Sequence, residues 1–156
     1  MTNIAGMGRV ALRVIATAAL AVGLVAGLGV LSPGVARAAS GPPCTSTKVR
    51  ACVDISRGKA WLMSHGKVAY GPATITSGRP GYRTSIGTFH VTRKDKDHIS
   101  SIYHVPMPYS VFFHGGEAFH EGSRKVQSHG CIHLSHKSAV RFYKYLHVGD
   151  VVQIHR

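Results

Sequence analysis

The chain has 156 residues, with 19 Lys or Arg against 6 Asp or Glu and a formal net charge of +13 with His neutral. That length fits one domain around one core, and the charge excludes an acidic or balanced surface and favours polyanionic surroundings. Eleven His and three Cys supply most of the groups able to exchange protons or attack carbon near neutral pH.

Arg9 and Arg13 precede the uncharged apolar run Val14–Leu31, and Pro33, Gly34 and Ala36-Arg37-Ala38-Ala39 follow it. A positive n-region, an apolar stretch and an A-x-A site make residues 1–38 an expected export leader of the Sec type. An uncleaved membrane anchor is the alternative, because a run of this length just reaches across a bilayer. The leader holds three Arg and no acid, so its removal leaves 16 basic and 6 acidic side chains, a net charge of +10. Outside a cell the nearest polyanions are wall polymers and lipid headgroups, and no nucleic acid is expected as a partner.

Residues 39–50 form a short Gly/Pro/Ser/Thr lead. Cys44 and Cys52 lie eight apart near its end, where a disulfide would close a small loop ahead of the first strand. Cys131 then remains unpaired, as a free thiol, an intermolecular bridge or a buried inert side chain. Cys52–Ser56 alternates and predicts a strand with Val53 and Ile55 on one face. Ala60–Met63 and Val68–Tyr70 flank Ser64-His65-Gly66-Lys67 as a hairpin, and Ala73–Thr76 continues as a strand. A Gly/Pro/Arg loop from Ser77 to Arg83 leads to a strand over Gly87–Thr92. The Lys- and Asp-rich stretch Arg93–Ser101 is expected as an exposed loop, with strands over Ile102–Val105 and Val111–His114. Ser135 can cap a helix whose Ala139, Phe142, Tyr143 and Leu146 share one face. Val148-Gly149-Asp150 turns into a last strand, Val151–His155. The expected class is mainly β with one helix, in a single domain.

Ser128-His129-Gly130-Cys131 is the chemically loaded segment. A thiol pKa of about 8.5 leaves only a few per cent thiolate at pH 7, and lowering it by about two units takes roughly 2.7 kcal/mol, which a close imidazolium can supply. His129 stands two residues before Cys131, so in an extended segment it points outward in parallel with the thiol. His120 ends a separate strand-like segment, and the loop Glu121–Gln127 can fold it back opposite Cys131. His120 is therefore the expected acid/base and His129 a supporting group. Ser128 and Gly130 are poor core material, and glycine lets a substrate approach the backbone closely.

Gly115-Gly116-Glu117-Ala118-Phe119-His120 followed by Ser128-His129-Gly130-Cys131-Ile132 resembles the catalytic signature of the L,D-transpeptidases, the YkuD-like domains. Thr76-Ser77-Gly78-Arg79-Pro80, Thr84-Ser85-Ile86-Gly87-Thr88-Phe89, Met107-Pro108-Tyr109 and the closing helix with Val148-Gly149-Asp150-Val151-Val152 resemble other family elements, so the likeness covers residues 51–156. The chain lacks the family's proline after Thr84, has a short His-to-Cys spacing, and carries His133 where Asn or Arg is frequent.

The resemblance implies a β-sandwich or barrel-like domain with one helix after the catalytic cysteine. It also implies Cys131 attacking a peptidoglycan stem peptide, a thioester acyl-enzyme, backbone N–H groups around Gly130 holding the oxyanion, and His120 donating and accepting the proton. A second stem's amine would then give a 3→3 crosslink, and water would give an L,D-carboxypeptidase. Tyr103, Tyr109, Ser128, His133 and the Ser77–Arg83 loop are candidates to line the substrate cleft, with Arg79 and Arg83 placed to meet carboxylates. Carbapenem-type inhibitors are expected to acylate the thiol. The expected protein is a monomer without cofactor.

Three other readings compete. His129, Cys131, His133 and His136 lie close in sequence, but H-x-C-x-H-x-x-H matches no common zinc spacing. A papain-like peptidase would place its cysteine before its histidine. From another class, the chain could be a cationic wall-binding module without turnover.

Overall fold

The computed structural model describes residues 41–156, so the expected leader lies outside the described residues. Two sheets and one helix build the domain. The first sheet holds β1 (Val49–Asp54), β2 (Lys59–Ser64), β3 (Lys67–Thr74), β4 (Gly87–His90) and β9 (Val151–His155), in the order β3-β2-β1-β9-β4. The second holds β5 (Arg93–Ile99), β6 (Pro106–His114), β7 (Glu117–Glu121) and β8 (Ile132–Leu134), in that order. Most neighbours run antiparallel, but β1 pairs parallel with β9 and β7 parallel with β8.

Alternation decides what each strand buries. In β1 and β2, Ala51, Val53, Ala60 and Leu62 face the core between the sheets, where they meet Val111, Phe113 and Phe119. Cys52, Trp61 and Met63 point the other way into a second cluster with Cys44 and Val49. The lead folds over that outer face and is fixed there by a Cys44–Cys52 disulfide with Cα atoms 5.9 Å apart. The β2–β3 hairpin turns through His65 and Gly66, both at positive φ (49° and 76°), the geometry that two-residue hairpin loops favour.

The helix α1 (His136–Tyr145) follows β8. The Ser135 hydroxyl caps it by accepting the Ser138 N–H, and Ala139, Phe142 and Leu146 enter the core. The second sheet thus has two unlike faces. Val111, Phe113, Phe119, Ile132 and Leu134 pack with the helix and the first sheet, while Met107, Phe112, Ala118 and Cys131 cluster on the other side.

Two expected elements differ. Arg93–Ser101 is mostly strand β5, paired with β6 from Arg93↔Phe112 to Ile99↔Pro106. It is an edge strand, where charged residues are tolerated because one side faces water and where they discourage pairing with another chain. Its charges also cover aromatic rings: the Arg93 guanidinium lies 3.5 Å from the Phe112 centroid and the Lys94 ammonium 4.5 Å from that of Tyr143. Ile102–Val105, expected as a strand, is instead an exposed turn closed by the Ser100 N–H donating to the Val105 carbonyl and by the Val105 carbonyl's neighbour His104 at φ 53°. Its apolar side chains face a cleft and solvent, not a partner strand.

Candidate active site

The loop between β7 and β8 presents Cys131. Within it the Ser128 hydroxyl donates to the Cys131 carbonyl at 2.6 Å and accepts the Gly130 N–H at 3.1 Å, closing a tight turn. Gly130 sits at φ 109°, and a Cβ there would stand 3.1 Å from Glu117 Cγ, so only glycine fits. The Gly/Pro/Arg loop braces this turn from outside. The Ser128 N–H donates to the Ser77 carbonyl and the Arg79 N–H to the Ser128 carbonyl, both at 3.0 Å. Buried Thr84 adds a polar tie: its hydroxyl donates to the Gly130 carbonyl at 2.8 Å and accepts the Gly78 N–H at 3.0 Å.

A cleft of about 370 Å³ opens over the thiol. Cys131, His120, His129, Ser128, His133, Tyr103 and Arg79 all line it. His120 stands on β7 and is 5% exposed. Its Nδ1–H donates to the Glu121 carbonyl at 2.7 Å, which leaves Nε2 as the free acceptor. Burial pulls its pKa down to about 4, and the charges of His133 and His98 push the same way against the help of the Glu121 carbonyl. The Cys131 thiol, 3.7 Å from the Gly116 carbonyl, is pushed up by burial; a backbone hydrogen bond at Ala118 works against that and the Glu117 carboxylate adds to it.

This corrects the expectation that an imidazolium would lower the thiol's pKa at rest. Low-dielectric surroundings penalise both ions, so the resting pair is neutral thiol and neutral imidazole. His129 is neutral for a different reason. Its Nε2 accepts from Arg79 Nη2 at 2.9 Å, because a guanidinium can only donate. The ring lies between Tyr82 and Tyr103, at 3.8 and 4.6 Å between centroids. Partial desolvation there, and then the Arg79 charge, hold its pKa below the usual value.

Matches to known proteins fit this geometry. The L,D-transpeptidase catalytic domain model (YkuD) matches residues 48–154. The chain belongs to the L,D-transpeptidase catalytic domain family. A solved L,D-transpeptidase (Yku) from Stackebrandtia nassauensis is 30% identical over 73% of this chain and 59% of its own, with a TM-score of 0.68. An L,D-transpeptidase from Mycobacterium tuberculosis H37Rv is 27% identical over 67% of this chain and 56% of its own, with a TM-score of 0.59. The LD transpeptidase LdtMt1 in complex with imipenem is 25% identical over 66% and 56%, with a TM-score of 0.60. The chain therefore spans less than two thirds of the length of these structures. No curated protein sequence matches it.

Three expected site residues of this L,D-transpeptidase domain need correction. Tyr109 lies outside the Cys131 cleft, its ring 5.6 Å from His136 and 5.8 Å from Tyr143. Strand alternation breaks at its φ of 58°: Met107 and Phe112 share the cleft side, whereas Tyr109 joins Val111 and Phe113 on the core side. The Gly130 N–H is committed to Ser128, so Gly130 contributes room and turn geometry in place of an oxyanion donor. Ser128 does line the cleft, with its hydroxyl engaged in the turn. Arg83 lines a separate groove with Ser77 and Arg156, leaving Arg79 as the arginine at the cleft.

Sequence reasoning missed Glu117, which lines the cleft with its carboxylate accepting the Ser85 N–H at 3.1 Å and the Ser85 hydroxyl at 3.0 Å. With so few acids in the chain, one inside the cysteine's own motif was the signal to follow. The histidines near Cys131 do not converge. His129 faces Arg79, His133 Nδ1 donates to the Ser123 carbonyl at 2.8 Å, and His136 meets Glu121 at 2.8 Å. Among the described residues no group of three or more His, Cys, Asp or Glu is arranged for a metal ion.

Proposed function

We propose that this protein is an exported cysteine L,D-transpeptidase that acts on peptidoglycan stem peptides and forms 3→3 crosslinks. The observation that carries the reading is the convergence of the only free thiol among the described residues and the buried His120 imidazole on one cleft, in a member of this family. Cys131 Sγ attacks the carbonyl carbon of the stem's diamino acid, in the peptide bond to the terminal D-residue, as its proton passes to His120 Nε2. The peptide C–N bond breaks, and the same proton goes to the leaving amine, leaving a thioester. The side-chain amine of a second stem attacks that thioester, gives its proton to His120 and restores the thiol. Water in place of the amine gives the carboxypeptidase product from the same intermediate. Residues 1–38 serve as the leader, and the basic surface supports salt-sensitive association with anionic wall polymers.

Imipenem bound to LdtMt1 supports a carbapenem as the first probe. Residues 39–156, reduced and then incubated with imipenem, should gain the mass of one molecule, and Cys131→Ala should gain none. A folded wild-type protein that takes up no mass overturns the reading. Incubation with tetrapeptide stems then separates crosslinked dimer from hydrolysed tripeptide by mass.

A further inference from the structure

His133 occupies a position two residues beyond the thiol, and its surroundings tie it to His120 more than to substrate. Residues 120 and 133 are direct partners in the parallel β7–β8 ladder, and their rings meet edge to face with centroids 4.9 Å apart. Its backbone is held by a two-way bridge with Thr76, at 2.9 and 3.3 Å. Its Nδ1 lies 2.8 Å from the Ser123 carbonyl and 3.2 Å from that of Val126, so Nδ1 carries a hydrogen and Nε2 is the nitrogen left without one in the neutral ring. The ring cannot retreat toward Gly122, where a Cβ would already lie 2.8 Å from it. His133 is half-buried on the cleft wall and so remains within reach of solvent protons, unlike His120.

We infer that His133 is a positioning residue whose proton state governs the reaction: neutral His133 lets His120 accept the Cys131 proton, and protonated His133 opposes it. The inference rests on the function proposed above. When Sγ bonds to an acyl carbon and its proton moves to His120 Nε2, a second imidazolium in ring contact raises the cost of that transfer. Other charged groups face the pair from each neighbouring element. On the cleft side, Glu117 is held by Ser85, and Arg79 is held by His129. From β5, His98 is a further cationic influence on His120 and sits 3.0 Å from Asp95. Next to β8, Glu121 is paired with His136, and the 122–127 loop contributes only Arg124 and Lys125.

His133→Asn tests this, because an Asn amide can still donate to the Ser123 carbonyl but does not titrate; His133→Gln serves if that variant fails to fold. Imipenem acylation is followed by mass across pH, each protein scaled to its own plateau. The wild-type rate should fall about tenfold as pH drops from about 7.5 to 5.5, and the acid limb of His133→Asn should lie at least about one pH unit lower. In unacylated protein, NMR should find His120 taking its proton at higher pH in the variant than in the wild type. An unchanged acid limb, or an unchanged His120 titration, overturns the role of His133 while leaving the proposed function standing. Failure of any adduct to form with wild-type protein at every pH overturns both.

Discussion

His120 joins reactivity and stability in one side chain. In the folded protein it stays neutral until pH falls to about 4, whereas an unfolded imidazole takes its proton near 6.5. The unfolded chain therefore binds the extra proton first on acidification. Stability is fully present above pH 6.5 and is lost as pH falls toward 4, by about 3 kcal/mol at most. Urea denaturation from pH 7 to pH 4 should trace that loss, and His120→Gln should flatten the slope while abolishing acylation. That cost leaves an imidazole unprotonated at neutral pH on the same cleft as a thiol whose pKa burial also raises.

At the scale of elements, the turn carrying Cys131 depends on a loop some fifty residues upstream in sequence, since Thr84 and Gly130 are 46 positions apart. Thr84→Val removes the hydroxyl and leaves the Gly130 carbonyl and Gly78 N–H without it in a buried place. The variant should lose about 1–3 kcal/mol in urea denaturation and acylate more slowly with imipenem, and Thr84→Ser should recover most of both. The helix, the His65-Gly66 hairpin and the Ser-His-Gly-Cys segment were legible in sequence because periodicity, turn residues and residue chemistry are local signals. Strand β5 was not, because its Lys and Asp side chains read as solvated loop until Phe112 and Tyr143 are placed beneath Arg93 and Lys94. Tyr109 and Gly130 were misread for a related reason: one unusual φ and one hydrogen bond to Ser128 redirect them, and neither leaves a trace in residue type. Glu117 was visible, but its partner Ser85 lies 32 positions away.

For the molecule as a whole, the Cys44–Cys52 bridge closes a short loop over the outer cluster of Val49, Trp61 and Met63, on the side of the first sheet away from the second. Reduction should lower stability by about 2 kcal/mol through the freed unfolded chain, seen as an earlier thermal transition. Imipenem should still acylate Cys131 below that transition, since the bridge touches none of the cleft residues. The parallel pairing of β1 with β9 has a consequence in time. β9 sits between β1 and β4 and completes both, so the middle of the first sheet stays open until residues 151–155 have left the ribosome. Until then β1, β2 and β3 on one side and β4 on the other have no strand in common, and joining them is paced by the longest loop closure in the fold.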